Sequence, residues 1–554
     1  MPRLTRFSLL SFIGFTLAPL LQAQSSVATD EVLPALHTGL HWLDWCIIAL
    51  YLGVVLWLGA KCAKGDSGTA EYFIAAKRHM NPVLIGISTF ATILSTVSYL
   101  SKPGEMVNKG PTILLALIIS APLTYWVVSR WLIPQLMRLR VTSAYELLEE
   151  RLGYGVRVLG AVMFILLRLV WMGLLVYLAS LALVIIIGLD EKWTPLISAL
   201  TGIVAVVYTS MGGLRTVVIT DLIQFFLLLG GALITIAIVT IKLGGFSWFS
   251  LSWNPNWDTQ PLFTWDPTVR VSLFGAVLSG MLWQIATAGS DQTAVQRYMA
   301  TEDKKAASRS YLVSMVALAG VSTVLALLGM SLLAFFTEYP ELLQGGLTLS
   351  ADGDKIFPYF ISHFLPIGIT GLVVSGAIAA AMSSVDSGVN SITAVVMTDF
   401  LDRNGKSFKS EAQHLRFSKF LAAGIGAIVI VTSLFVQYVP GNFTAMTSKT
   451  ANLLVTPIFC LFILALWVRG ATPLSAFLGF AYGFAASVLI AFWEPITGQP
   501  QISFQWVGLG ALVANLGIAL PLAKFGPRRE DTRATRNTAI VGLVILAALL
   551  FWLL

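Results

Sequence analysis

The sequence predicts an all-α polytopic membrane protein of about fourteen transmembrane helices, on three observations. Only 11% of its 554 residues are charged and 56% are hydrophobic, where a soluble domain carries about 25% charged residues. The apolar residues gather into runs long enough to cross a bilayer, which takes about 20 helical residues. Lysine and arginine are divided unequally between alternate loops, the asymmetry that orients membrane proteins.

Taken in order, residues 1–23 read as a signal peptide: Arg3 and Arg6 precede the apolar stretch Phe7–Leu21, and Gln22-Ala23-Gln24 has the composition of a cleavage region. An uncleaved extra helix is the rival reading, disfavoured by Pro19 and the shortness of the run. An extra N-terminal span follows at 43–60. Further apolar runs fall at 82–101, 112–134, 156–189, 195–211, 217–242, 271–289, 310–337, 357–398, 416–437, 448–468, 473–494, 505–523 and 537–554. Two of these, 156–189 and 357–398, exceed one straight crossing, and the second is expected to open with a short interfacial helix holding His363 and Pro366.

Of the 35 basic residues, 24 fall in the odd-numbered loops and six in the even-numbered ones, the six being Lys102, Lys109, Lys192, Lys242, Arg270 and Lys355. The odd loops, with Arg138, Arg157, Arg297 and Arg403 among their charges, are therefore expected in the cytoplasm. Both mature termini then lie outside the cell membrane. The formal net charge of +7 is spread over these loops and carries no sign of nucleic-acid binding. Cys46, Cys62 and Cys460 form no metal-binding spacing and no disulfide framework.

Two spans look breakable. Residues 82–101 hold the hydroxyl-rich series Ser88, Thr89, Thr92, Ser95, Thr96 and Ser98, and 271–289 carries Gly275, Gly280, Gln284 and Gly289 before Asp291-Gln292. They are the second and seventh spans, five apart. Broken helices at matching places in inverted halves mark the binding site of many transporters, and this separation suits a five-plus-five repeat after one extra helix. The halves are then 81–242 and 271–468, with peripheral C-terminal spans at 473–554.

The stripe Gly376, Ala380, Ser383, Ser384, Ser387 and Ser391 recurs at helical steps of three and four. It offers hydroxyl and backbone oxygens to a hard cation, with Asp386 beside it and Asp221 in another apolar segment. Close helix packing explains small residues equally well.

Three stretches resemble the sodium/solute symporter family (sodium/glucose cotransporter-like proteins): Tyr208–Gln224, reading YTSMGGLRTVVITDLIQ; Asp291-Gln292 with Val295-Gln296-Arg297; and Ala380–Ser387, reading AAMSSVDS. The resemblance covers about 43–526. It implies a LeuT-type inverted-repeat fold and secondary active transport driven by sodium ions. It also implies a sodium site made by the carbonyls of Ala91, Leu94 and Ala380 with the hydroxyls of Ser383 and Ser384. Some relatives have a second sodium site, whose positions correspond to Asp221, Ser383, Asp386 and Ser387. Asp386 departs from the hydroxyl those relatives carry, and pairing with Arg168 or protonation would explain it without an ion.

Arg168 sits deep in a span and needs a carboxylate of the protein or an anionic substrate. Ile93 and Val97 replace polar residues of sugar-carrying relatives, while Ser101-Lys-Pro-Gly-Glu105 resembles the branch handling monocarboxylates, vitamins and small anions. The expected cargo is therefore a small carboxylated solute, with a neutral sugar as the alternative. Thr92, Ser95, Arg168 and Gln284 are its candidate contacts, each equally able to serve as an interhelical hydrogen bond. Proton coupling through Asp386 is a rival within the same class. A membrane enzyme is disfavoured because the chain lacks GxSxG, HExxH and any intramembrane histidine–carboxylate cluster, and a sensor because little follows residue 536. One chain is expected to suffice for transport, an oligomer remaining open: Gly479 and Gly483 form a GxxxG pattern that serves either packing within the chain or a dimer face.

Overall fold

The computed structural model describes residues 39–65, 80–94, 96–139, 143–403, 408, 410–438, 443–527 and 532–553. The expected signal peptide, 1–23, and Ser95 lie outside them. All regular structure among the described residues is helical. In chain order the α-helices of seven or more residues are α1 (Trp42–Gly65), α2 (Pro82–Ile93), α3 (Thr96–Asn108), α4 (Thr112–Val127), α5 (Ile133–Leu139), α6 (Glu146–Leu152), α7 (Tyr154–Ile187), α8 (Thr194–Lys242) and α9 (Leu273–Ser290). They continue with α10 (Gln292–Met299), α11 (Lys304–Glu338), α12 (Gly353–Phe364), α13 (Ile369–Val395), α14 (Glu411–Phe435), α15 (Phe443–Trp467), α16 (Pro473–Ala491), α17 (Gln505–Phe525) and α18 (Thr532–Leu553).

Eleven helices among the described residues are long and apolar enough to cross a membrane, or twelve when the pair α2–α3, bent by 61°, counts as one span. The expected list of fourteen includes two segments outside that count. One is 448–468, whose apolar part is the shorter run Asn452–Trp467. The other is 195–211, absorbed into the 49-residue α8. A straight helix of that length would extend about 73 Å. Both its ends nevertheless meet α12, itself only about 18 Å long. Lys355 lies 3.2 Å from Glu191, just before α8, and Lys242 at its far end stands 5.7 Å from the Phe364 ring. The chain therefore doubles back within α8, giving the two limbs read as 195–211 and 217–242.

The run 357–398 divides as expected: His363 is in α12, while Pro366 falls in the link to α13. The run 156–189 does not divide. It is one helix, α7, about 51 Å long, which exceeds the roughly 30 Å hydrocarbon core. At the end carrying the charges of the odd-numbered loops, Arg157 of α7 binds Asp399 (2.6 Å) and Glu149 of α6 (2.6 Å), and Arg403 closes on Glu149 at 2.7 Å.

Local chemistry explains where the broken helices start and stop. Asn81 caps α2 by accepting from the Val83 N–H at 2.8 Å, with Pro82 in the first turn where its missing N–H costs nothing. Leu94 leaves helical geometry at ψ 102°, ending α2 in mid-span. Ser272 caps α9, and Asp291 interrupts the second broken span by capping α10 through the Thr293 N–H at 2.8 Å.

At the centre runs α13, buried on nearly every side and packed on α8, α7 and α1. Its start is pinned by α1: the Asp44 carboxylate accepts from the N–H groups of Gly368 (2.7 Å) and Gly371 (2.8 Å). A Cβ on Gly371 would lie 2.6 Å from the Asp44 Cα, so the two backbones touch. At the periphery, Gly479 and Gly483 face Asn515 and Ala519 of α17; the GxxxG pattern serves packing within the chain. Asp44→Ala leaves two donors at the α13 N-terminus without their acceptor. It should lower stability by about 1–3 kcal/mol, read as a lower midpoint in thermal unfolding of the purified protein, with Asp44→Asn intermediate.

Candidate functional site

The mid-span end of α2 lies against the serine-bearing stretch of α13. An α-helix leaves its last four carbonyls without intrahelical partners, and in a bilayer water does not supply them. Here Ser384 of α13 donates its hydroxyl to the Thr92 carbonyl at 3.1 Å. Ala91, Leu94, Ala380, Ser383 and Ser384 are all buried around this junction. Gly376, one and two turns earlier in the stripe, packs on the α8 backbone, where a Cβ would lie 3.3 Å from Leu227. The stripe therefore packs at one end and presents hydroxyls at the other.

Beside the junction is a buried polar cluster around Asp221 of α8. Ser88 of α2 donates to one carboxylate oxygen and Ser383 of α13 to the other. The cation of the cluster is Arg297 of α10. Its Nη2 lies 2.5 Å from Thr92 Oγ1, 2.7 Å from Ser387 Oγ and 3.3 Å from Asp221 Oδ2. Its Nε donates to Ser88 Oγ at 3.0 Å, and its Nη1 to the Thr293 carbonyl at 3.0 Å. Arg297 and Asp221 are both fully buried, at 1% and 0% exposure. The loop charge assigned to Arg297 from sequence is thus corrected: the residue enters the core, because Asp291 re-aims α10 inward and a carboxylate waits there. The family-like segments supplied no signal for this beyond placing Asp221 and Arg297 in separate motifs.

Arg168 of α7 is held by a carboxylate of the protein. It binds Asp291 and donates to Thr293 Oγ1 at 2.7 Å. The expected alternative partner, Asp386, is not the one; Asp291 is nearer because the helix break exposes it toward α7.

Two adjoining cavities share Ile93, Trp171 and Trp283. The smaller, about 30 Å³, is walled by Thr92, Arg168, Thr287 and Asp291. The larger, about 220 Å³, is lined by Leu94, Ser98, Lys102, Gln284, Asn452 and Gln505 among others. Lys102, read from sequence as a charge of the even-numbered loops and as part of Ser101–Glu105, is 3.0 Å from Ser322 Oγ. Among the described residues no carboxylate lies within ion-pairing distance of it. Of the expected solute contacts, Gln284 reaches the larger cavity while donating to Ser120 at 3.2 Å. Thr92 and Arg168 border the smaller one.

A family model for the sodium:solute symporter family matches residues 72–483. The chain belongs to the sodium:solute symporter family. This symporter is 29% identical over 478 residues to a sodium/sialic acid symporter of Aliivibrio fischeri, covering 84% of the chain and 90% of that protein. It is 28% identical over 484 residues to sodium-coupled monocarboxylate transporter 1 of Xenopus laevis, with 85% and 72% covered. Among solved structures, a sodium-coupled sialic acid symporter in a substrate-bound outward-open state matches with a TM-score of 0.74 at 24% identity. That match covers 87% of this chain and 98% of that one. The symporter thus has the LeuT-type fold expected from its sequence, and sodium is its coupling ion.

In the symporter, Asp291→Asn removes the partner of the buried Arg168 and should destabilise by about 3–5 kcal/mol. Removing both charges with Arg168→Gln and Asp291→Asn should recover most of that loss. Thermal unfolding of the two single variants and the double checks it; simple additivity of the single losses contradicts the pairing.

Proposed function

We propose that the symporter imports a small carboxylated solute together with sodium by alternating access, the solute's carboxylate being drawn to Lys102. The observation that carries this reading is a half-buried ammonium with no carboxylate partner among the described residues, facing a cavity of about 220 Å³ beside the break in α2–α3. A cation drawn partly out of water is favoured by an ion pair or by hydrogen bonds, and Ser322 gives it one acceptor. An anionic guest supplies the rest. Ser98, Gln284, Asn452 and Gln505 offer hydrogen bonds to hydroxyl or amide groups of the same guest. The sialic acid and monocarboxylate specificities of the relatives support the same class of cargo. Arg168, already neutralised by Asp291, helps to shape the inner cavity and is not the first anchor of the carboxylate.

The sodium site we assign to Ala91, Leu94, Ala380, Ser383 and Ser384. The donor set fits: carbonyl and hydroxyl oxygens, with no thiol or imidazole, suit a hard cation. The approach of Ser384 to the Thr92 carbonyl supports the assignment. Bound sodium would draw the end of α2 and α13 together, stabilising the arrangement in which the solute cavity is organised. Ser95 is retained as a solute contact on sequence grounds alone. Each sodium entering along a potential of 100 mV contributes about 2.3 kcal/mol, which the inward movement of a monovalent carboxylate offsets, so one sodium carried with one such anion is driven by the sodium concentration gradient. The protein is placed in the cell membrane with 81–242 and 271–468 as the inverted halves. The charge bias of its loops supports an outward location for both mature termini, and a single chain contains every residue named.

Ser383→Ala with Ser384→Ala should abolish sodium-dependent uptake in proteoliposomes while the protein still folds; undiminished uptake would remove these hydroxyls from the mechanism. For the solute, purified protein is screened by thermal shift against short organic acids, sialic acid and neutral sugars in sodium buffer. Acids should stabilise it and sugars should not. Lys102→Gln should weaken the effective acid at least tenfold. Stabilisation by sugars alone, or unchanged acid affinity in the variant, would overturn the carboxylate reading.

A further inference from the structure

We propose that Arg297 is the resident cation of the Asp221–Ser383–Ser387 cluster, so that the protein's own guanidinium fills the place a second sodium would need and one sodium is coupled per cycle. The inference concerns sodium alone and is tested without solute, so it stands apart from the Lys102 reading.

Three observations carry it. The first is occupancy by lone pairs. A sodium ion at Asp221, Ser383, Asp386 and Ser387 would need oxygens free to face it. Arg297 lies 2.7 Å from Ser387 Oγ and 3.3 Å from Asp221 Oδ2, with Thr92 and Ser88 hydroxyls completing its shell. The second is charge. A buried carboxylate is costly without a cation, and at Asp221 the guanidinium supplies one with a directed hydrogen bond. A sodium ion in the same shell would face a like charge at contact range in a medium of low dielectric.

The third is the contrast with the neighbouring site. At the end of α2 the oxygens are main-chain carbonyls in a stretch that has left helical geometry at Leu94, whereas Arg297 bonds the side chains of Ser88 and Thr92 on that helix. Ser383 belongs to both sets. It donates its proton to Asp221, which leaves its lone pairs free on the remaining side. Asp221 and Arg297 thus act as a positioning pair: they hold the Ser383 hydroxyl in the orientation a cation at the first site requires. Arg297 also links the two broken helices, because it sits on α10 and bonds Ser88 and Thr92 of α2.

The experiment is equilibrium binding of radioactive sodium to the purified full-length chain in the absence of solute, counting ions per chain. The wild type should bind one ion with a Hill coefficient near one. R297Q should expose the carboxylate and bind two. The double variant D221N with R297Q, which removes both charges and so avoids leaving either buried alone, should return to one. Two ions on the wild-type chain would overturn the proposal whether or not R297Q folds. So would one ion on R297Q with its thermal unfolding midpoint unchanged.

Discussion

The constraint on which the structure turns is the break in α2–α3. A helix that stops in the middle of a membrane leaves backbone carbonyls where no water is available to satisfy them. Every neighbour of that break is a response to it. Ser384 donates to the Thr92 carbonyl, the hydroxyls of α13 face the same region, and a guanidinium from the other broken helix bonds the Thr92 side chain. The polar residues that look misplaced in a greasy chain are where the backbone itself is polar. A small cation fits the same logic, since it satisfies several carbonyls at once.

Buried arginines are the second theme, and each is matched. Arg157 binds Asp399, Arg168 binds Asp291, and Arg297 binds Asp221. Two of the three pairs involve α10 or the residue that begins it. Asp291 has a double part, since its carboxylate caps α10 and also neutralises Arg168. The break in the second half is thereby tied to α7, while Arg297 ties α10 to α2, α8 and α13. A rigid-body movement of the broken helices against the rest must carry or remake these bonds, which makes them natural points where ion occupancy and helix position are coupled. Lys102 stands apart from this pattern, and for that reason it is assigned to a guest.

Much of the fold was legible because bilayer thickness imposes a length on every apolar run. The positions of both helix breaks could be read from hydroxyl and glycine clusters and from Asp291. The doubling back within 194–242 was legible as two runs. The single long α7 was not, because hydropathy records where a helix is apolar and not where it leaves the hydrocarbon. At the site, the meeting of residues 91–94 with 380–384 came from a resemblance to known motifs; spacing alone left packing and ion binding equally open. The partners of the charges were the hidden part. Arg297 counted as a loop residue and Lys102 as an outer-edge residue, since both lie at the ends of apolar runs, and one-dimensional position does not say that a short helix is turned inward. Arg168 announced its need for a carboxylate but could not name Asp291, 123 positions away.

The central claim is that the unwound end of α2 and the serines of α13 form one cation-dependent unit. Hydrogen–deuterium exchange of the purified protein in sodium, compared with choline at equal ionic strength, tests it most directly. Peptides covering 88–98 and 380–391 should both gain protection in sodium, with little change in 473–525 at the periphery. Exchange that is the same in both buffers over 88–98 and 380–391 would contradict the account.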